Sequence, residues 1–390
     1  MRYHMICIEN AKVVLENGIL WDGIILVEDD RIVSVGKRNE VEIPENAQHV
    51  DAGGAYVGPG FVDIHAHGGG GHAFWQEPAE AAEHFLRRGT TSILPTLYHS
   101  LDKQCFLESI ERVENTIAAS GARNIIRGFY MEGPYMNPNF GASSKYNKWL
   151  GEIRPEDYKD VVDRAGDLVK VWVISPEREG VEPFVQYAKS VNPNVVFSVG
   201  HSCATPAQIQ KLKKYGLRHQ THCLNATGGY GKGGGVRAAG PDEYCFLDPD
   251  MYAELICDSY GVHVCAELQR LVLHNKGIDK VVLISDCSSR KPGENPAPEH
   301  LRHVTDLSFD DQGNLGGSLL SMDMACRNIM THTNCGIAQA FLMASRNPAR
   351  AIGMDDEIGT IEPGKRADLV FVDDMFNVQK VMLAGKLQQF

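Results

Sequence analysis

The 390-residue chain has no CxxC pair among its ten cysteines, no apolar window long enough to span a membrane and no basic cluster, and no GxGxxG follows its first apolar strand. Each absence narrows the field. Cysteines scattered through apolar runs such as "AELICDS" and "VVLISDCSS" read as reduced, mostly buried thiols of a cytosolic protein rather than as a disulfide framework. A formal net charge of -12 without a basic cluster speaks against nucleic acid or an anionic membrane as the main partner. The missing glycine fingerprint makes a doubly wound, dinucleotide-binding sheet the weaker alternative for the fold. The start, "MRYHMICIENAKVV", carries polar and acidic residues where a secretory signal has its apolar core, so a cytoplasmic location is expected.

What is present suits a globular enzyme. Hydrophobic residues make up 43% of the chain and charged residues 23%, enough for one large domain with a smaller partner, or for two ordinary domains. Period-two alternation broken by Asn-Gly and Asp-Gly signals predicts antiparallel strands over "MICIENAKVVLENGILWDGIILVEDDRIVSVGK". The same texture returns in "GTIEPGKRADLVFVDDMFNVQKVMLAGK", so the two chain ends are expected to complete one small sheet. Between them, apolar runs alternate with helical stretches, the pattern of parallel βα units. Eight such runs can be counted: "GFVDIHAH", "TSILPTL", "IIRGFYMEGP", "VKVWVISPE", "VVFSVGHS", "RHQTHCLNA", "YAELICDSYGVHV" and "KVVLISDCSS". Eight strands close a (β/α)8 barrel, whose catalytic groups sit at the C-terminal strand ends.

Polar residues gather at those ends. His65 and His67 end the first run, Glu132 the third, His201 the fifth, His222 the sixth, His263 the seventh and Asp286 the eighth. In an extended strand His65 and His67 lie on one face, so two imidazoles converge on one point, and the following "GGGG" lets backbone come close to whatever lies beyond. Taken alone, such a pair is more often two solvent-facing polar residues. Together, the four imidazoles of His65, His67, His201 and His222 and the carboxylates of Glu132 and Asp286 at one mouth form a ligand set for one or two divalent ions, which acidify water and polarise carbonyls. Asp286, which alone would read as a turn residue before "CSSRKPG", then suits a base toward water and an acid toward a leaving nitrogen. Cys203, Cys223 and Cys287 adjoin these positions but alternate to the opposite face and read as packing. His72, His84, His99 and His332 have no spacing that ties them to the cluster and read as surface or structural.

The segments "PGFVDIHAHG", "MEGPYMNP", "VGHSCA", "THCLNA", "DSYGVHV", "ISDCSS" and "GNLGGSLLSMD" resemble, in order and spacing, the amidohydrolase superfamily and within it the N-acetylglucosamine-6-phosphate deacetylases. The resemblance spans nearly the whole chain. It implies a (β/α)8 TIM-like barrel over residues 58–345 fused to a small β-sandwich built from residues 1–57 and 346–390. It implies that Glu132, His201 and His222 hold the main ion, expected to be zinc with iron or another divalent ion as alternatives, and that Asp286 is base and acid. Both HxH histidines are present, which favours room for a second ion at His65 and His67. Asn225 and Ala226 match positions that meet the phosphate-bearing end of an amino sugar, and His263 one that contacts the sugar. Assembly as a homodimer is also implied.

Two departures bear on the substrate. Ser143 stands where the family carries a histidine, and the phosphate-gripping arginine is replaced by "TGGYGKGGGVRAAG", in which Lys232 and Arg237 are the candidate cations. That loop reads equally as a phosphate cradle or as a lid. Three functions stay open at this level: hydrolysis of the N-acetyl group of an amino sugar 6-phosphate, hydrolysis of a different or unphosphorylated N-acyl amide, and a binding protein on the same fold. The intact ligand set and Asp286 speak against the last.

Overall fold

Apolar runs of four to nine residues, buried throughout or nearly so, are the ones that can lie in a parallel sheet covered on both faces. In the computed structural model, which describes residues 4–141, 145–229, 238–295 and 297–390, all eight predicted runs contain strands. They are Phe61–Ala66, Thr90–Tyr98, Phe129–Glu132, Val169–Ile174, Val196–Val199, Leu217–Gln220, Tyr252–Ile256 and Val281–Ile284. Each pairs in parallel with the next in chain order. The ring is closed where Asp286 N donates to His65 O at 2.9 Å and His67 N donates to Cys287 O at 2.8 Å. A helix follows every strand. The first, Pro78–Leu86, stops before Gly89, whose φ of +85° is the left-handed turn a glycine accepts.

Alternation sorts the strand side chains into two layers. Tyr130, Val171, Val173, Val196, Val282 and Ile284 belong to one cluster, while Met131, Trp172 and Phe197 join the cluster shared with the helices. Trp172, for example, meets Phe184 of helix Val181–Val191 edge to face at 5.3 Å.

The two chain ends form one further sheet. Met5–Leu15, Gly18–Glu28 and Arg31–Lys37 run antiparallel, as do Tyr56–Pro59, Leu369–Val372, Val378–Leu383 and Lys386–Leu387. Ile8, Val13, Val57, Leu369, Phe371 and Met382 share its core. Two details differ from the alternation pattern. Met5–Leu15 pairs in parallel with both Gln48–Asp51 and Tyr56–Pro59, because its antiparallel partner occupies only one edge and the chain crosses over to fill the other. Asp22-Gly23 is not a turn. It lies inside a continuous strand, where Asp22 adopts a φ of +51° and the register shifts, a bulge rather than a hairpin.

Candidate metal centre

Strand ends aim the predicted residues at one point. Glu132 Oε1 lies 2.9 Å from His201 Nε2 and 3.1 Å from His222 Nε2, and these two imidazole nitrogens are 3.1 Å apart. Glu132 Oε2 lies 3.1 Å from His67 Nε2, which is 3.2 Å from Asp286 Oδ1. His65 Nε2 stands 3.6 Å from both Glu132 Oε1 and Asp286 Oδ1. Glu132 is thus shared by two ligand groups, one with His201 and His222 and the other with His65 and His67. All six side chains are buried or nearly so.

The tautomers follow from the partners. His201 Nδ1 faces Phe140 O at 2.6 Å and His222 Nδ1 faces Asn225 O at 3.0 Å. A carbonyl oxygen only accepts, so each Nδ1 carries the hydrogen and, in the neutral ring, each Nε2 turns a lone pair toward the other and toward Glu132. Lone pairs meeting at 3.1 Å need a cation between them. His65 Nε2 is buried without a hydrogen-bond partner, again a donor atom aimed into the cluster. Buried imidazoles and carboxylates this close also perturb one another strongly. Burial opposes ionisation of Glu132, yet His65, His201 and His222 hold its carboxyl well below the usual range. Burial likewise opposes charge on His67, yet Asp286 and Glu132 push its pKa up to about 9. The residues present fit a divalent ion bound by imidazole and carboxylate.

The backbone carries strain at this place. His201, His222 and Asp286, three of the cluster, have φ values of +45°, +31° and +46°. Non-glycine residues rarely adopt such angles, and their concentration at three strand ends marks a site where geometry outranks local comfort. Leu224 and Ala226 follow at +67° and +53°. This strained loop is gripped by Asp242, which accepts from Leu224 N at 2.8 Å and from Thr227 Oγ1 at 2.6 Å.

Around the cluster, Asn225 Nδ2 donates to His263 O at 3.4 Å, so these two substrate candidates come together beside strained Ala226. His263 Nε2 is buried without a partner, while its Nδ1 lies 3.1 Å from Asp258 Oδ2. Ser143, Lys232 and Arg237 lie outside the described residues. Among the described residues Cys203, Cys223 and Cys287 supply no atom to either ligand group, as alternation predicted. His72, His84 and His332 stay apart from the cluster. His99 does not. It follows the end of the second strand, its ring lies 6.1 Å from that of His201, and burial together with His201 lowers its pKa to about 4. The strand-end rule used for the other seven residues would have found it. Sequence reasoning also passed over Asp258 and over Glu254, a fully buried carboxylate in the middle of the seventh strand.

A family model described as the amidohydrolase family matches residues 56–387. The chain belongs to the amidohydrolase family. Among curated relatives, an N-acetylgalactosamine-6-phosphate deacetylase of Escherichia coli O157:H7 is 29% identical, covering 97% of this chain and 98% of that one. An N-acetylglucosamine-6-phosphate deacetylase of Bacillus subtilis (strain 168) is 27% identical, covering 97% and 96%. Of solved structures, the N-acetylglucosamine-6-phosphate deacetylase of Pasteurella multocida superposes with a TM-score of 0.84 at 25% identity over 98% of this chain and 99% of that one. A mutant deacetylase of Mycobacterium smegmatis, solved in complex with N-acetyl-D-glucosamine-6-phosphate, gives 0.78 at 26% identity with the same coverage. This amidohydrolase is a metal-dependent hydrolase of carbon–nitrogen bonds.

Proposed function

We propose that the protein removes the acetyl group of an amino sugar 6-phosphate, converting N-acetylglucosamine-6-phosphate and water to glucosamine-6-phosphate and acetate. The observation that carries this reading is the pairing of the Glu132–His201–His222 group with Asp286 across the barrel mouth, in a chain similar over nearly its full length to deacetylases of this class. Glu132, His201 and His222 hold the main divalent ion, and His65 and His67 a second. When bound, the ion polarises the acetyl carbonyl and lowers the pKa of water. Asp286 takes the proton of the attacking water and returns it to the amide nitrogen as the carbon–nitrogen bond breaks. His263, with Nδ1–H directed at Asp258, offers Nε2 as an acceptor for a sugar hydroxyl, and Asn225 and Ala226 border the same space. Lys232 and Arg237 supply charge for the phosphate.

Zinc is the ion proposed, since imidazole and carboxylate suit it. Residues 58–345 act as the catalytic barrel and 1–57 with 346–390 as the β module, strand Tyr56–Pro59 of that sheet running two residues past the first boundary. Ten free cysteines, six of them buried, support a cytoplasmic setting. A homodimer is supported by apolar side chains exposed on and beside two adjacent helices, Leu247, Leu268 and Leu271. Among the described residues no helix is long and apolar enough to cross a membrane. The 29% relative favours a second reading, the galactosamine isomer as substrate. Acetate release from the two 6-phosphates and from free N-acetylglucosamine tests both. The proposal expects phosphorylated sugars to be preferred by at least tenfold in kcat/KM, and equal turnover of the free sugar refutes it.

A further inference from the structure

Beneath the cluster, inside the barrel, lies a polar network that the proposed reaction does not use. Its centre is Glu254 on strand Tyr252–Ile256. Tyr130 Oη lies 3.0 and 2.9 Å from the two Glu254 oxygens and 2.9 Å from Thr221 Oγ1, which is 2.6 Å from Ser198 Oγ. The hydroxyls form a donor chain ending on the carboxylate: Ser198 to Thr221, Thr221 to Tyr130, Tyr130 to Glu254. His219, whose Nε2 donates to Ala351 O at 3.0 Å, turns Nδ1 to Glu254 Oε1 at 3.3 Å. The other oxygen, Oε2, faces His65 Nδ1 at 3.5 Å, and the His65 ring stacks on Tyr130 at 4.4 Å. Glu254, Tyr130, His219, Thr221, Ser198 and His65 are all fully buried.

A buried carboxylate is costly unless its partners compensate, and an apolar side chain would fill this position at less cost to stability. The contact with His65 gives it a task. A half-turn of the His65 ring about Cβ–Cγ exchanges Nδ1 with Cδ2 and Nε2 with Cε1. It would place carbon against Glu254 and carbon against Glu132 and Asp286. The observed orientation turns both nitrogens toward carboxylate oxygens, at 3.5 and 3.6 Å, as close ion-pair contacts rather than formed hydrogen bonds. We propose that Glu254 is a positioning residue, facing Nδ1 of His65 from the barrel interior and so holding Nε2 toward Glu132 and Asp286, where the second of the two proposed ions would bind. The inference rests on the metal-dependent reading of the site. Partners of this kind, one shell behind a ligating histidine, typically change ion affinity by about tenfold to a hundredfold.

The test is a double-mutant cycle read by ion binding. Wild-type, Glu254→Gln, His65→Asn and the double variant are stripped of metal and titrated with zinc in a competing chelator, with ion content, thermal midpoint, kcat and KM measured on each. Glu254→Gln is expected to weaken binding of the second zinc by about tenfold to a hundredfold, and to change zinc binding less than twofold when His65 is already asparagine. Superimposable zinc titrations of wild-type and Glu254→Gln overturn the inference and leave the hydrolase reading standing. An equal loss in both backgrounds also overturns it, since Glu254 would then act on something other than His65. Absence of zinc binding by the wild-type protein overturns both. Should Glu254→Gln not fold, Tyr130→Phe keeps the carboxylate but removes the hydroxyl that fixes it. A threefold to tenfold weakening that vanishes in the His65→Asn background is then expected, and an unchanged titration refutes the proposal.

Discussion

Replacing Asp286 with asparagine keeps the shape of the side chain and removes its ability to take a proton. The structure sets the size of the effect. Asp286 Oδ1 is 3.2 Å from His67 Nε2 and the residue is 7% exposed, which places its carboxylate within the cluster rather than in bulk solvent. Its main-chain anchors, N to His65 O and O from Ser318 N at 2.8 Å, do not involve the carboxylate and hold the position in the variant. Nor is Asp286 one of the three residues of the Glu132–His201–His222 group, so that ion is retained. A positioned acid–base group contributes about a hundredfold to ten-thousandfold in rate, equivalent to about 2.7–5.4 kcal/mol of barrier. Asp286→Asn should therefore lose that much in kcat while zinc content and thermal midpoint stay near those of the wild type. The assay is initial-rate acetate release from N-acetylglucosamine-6-phosphate, with metal measured on the same sample. A kcat within threefold of wild type in fully loaded Asp286→Asn would refute the proton-transfer role.

His201→Ala removes a ligand atom from the group that shares Glu132 Oε1, and should lose both its main ion and measurable turnover, whereas His67→Ala should keep the main ion; metal analysis of purified variants separates the two. Asp258→Asn removes the carboxylate that holds His263 through Nδ1 and through its backbone N at 2.8 Å, so KM should rise about tenfold with a smaller change in kcat, read from saturation kinetics. Gly58→Ala would set a methyl group 2.2–2.6 Å from the buried Phe341 ring, itself wedged between Phe61 and Phe376, and should cost about 1–3 kcal/mol in denaturant unfolding without changing kcat.

The barrel was legible because its parallel strands are buried on both faces and leave continuous apolar runs, and because catalytic polarity in this fold is confined to one end of each run. That rule located His65, His67, Glu132, His201, His222, His263 and Asp286. It would also have located His99, which "TLYHS" places directly after the second run, had the rule been applied to a histidine without a neighbouring motif. Glu254 was hidden for a different reason. It sits within an apolar run, and only the cost of an unpaired buried carboxylate would have flagged it as a residue with partners to find. Asp258 gave no signal because an aspartate after a strand is ordinarily a turn residue. The left-handed backbone at His201, His222 and Asp286 left no trace in composition, since histidine and aspartate are placed there by the ring of hydrogen bonds around them rather than by local preference. The bulge at Asp22 shows the converse, a strong turn signal absorbed into a strand by the pairing on either side.

The proposed reaction turns on a divalent ion held by Glu132, His201 and His222 while Asp286 moves the proton. The most direct measurement strips the protein of metal, adds zinc back in sub-stoichiometric steps and follows acetate release from N-acetylglucosamine-6-phosphate and its galactosamine isomer at each step. Activity on at least one of the two should be absent in the metal-free protein and rise in proportion to bound zinc until the main site is filled. Full activity in protein shown to contain no metal, or no acetate from either sugar phosphate at full zinc occupancy, would contradict the account.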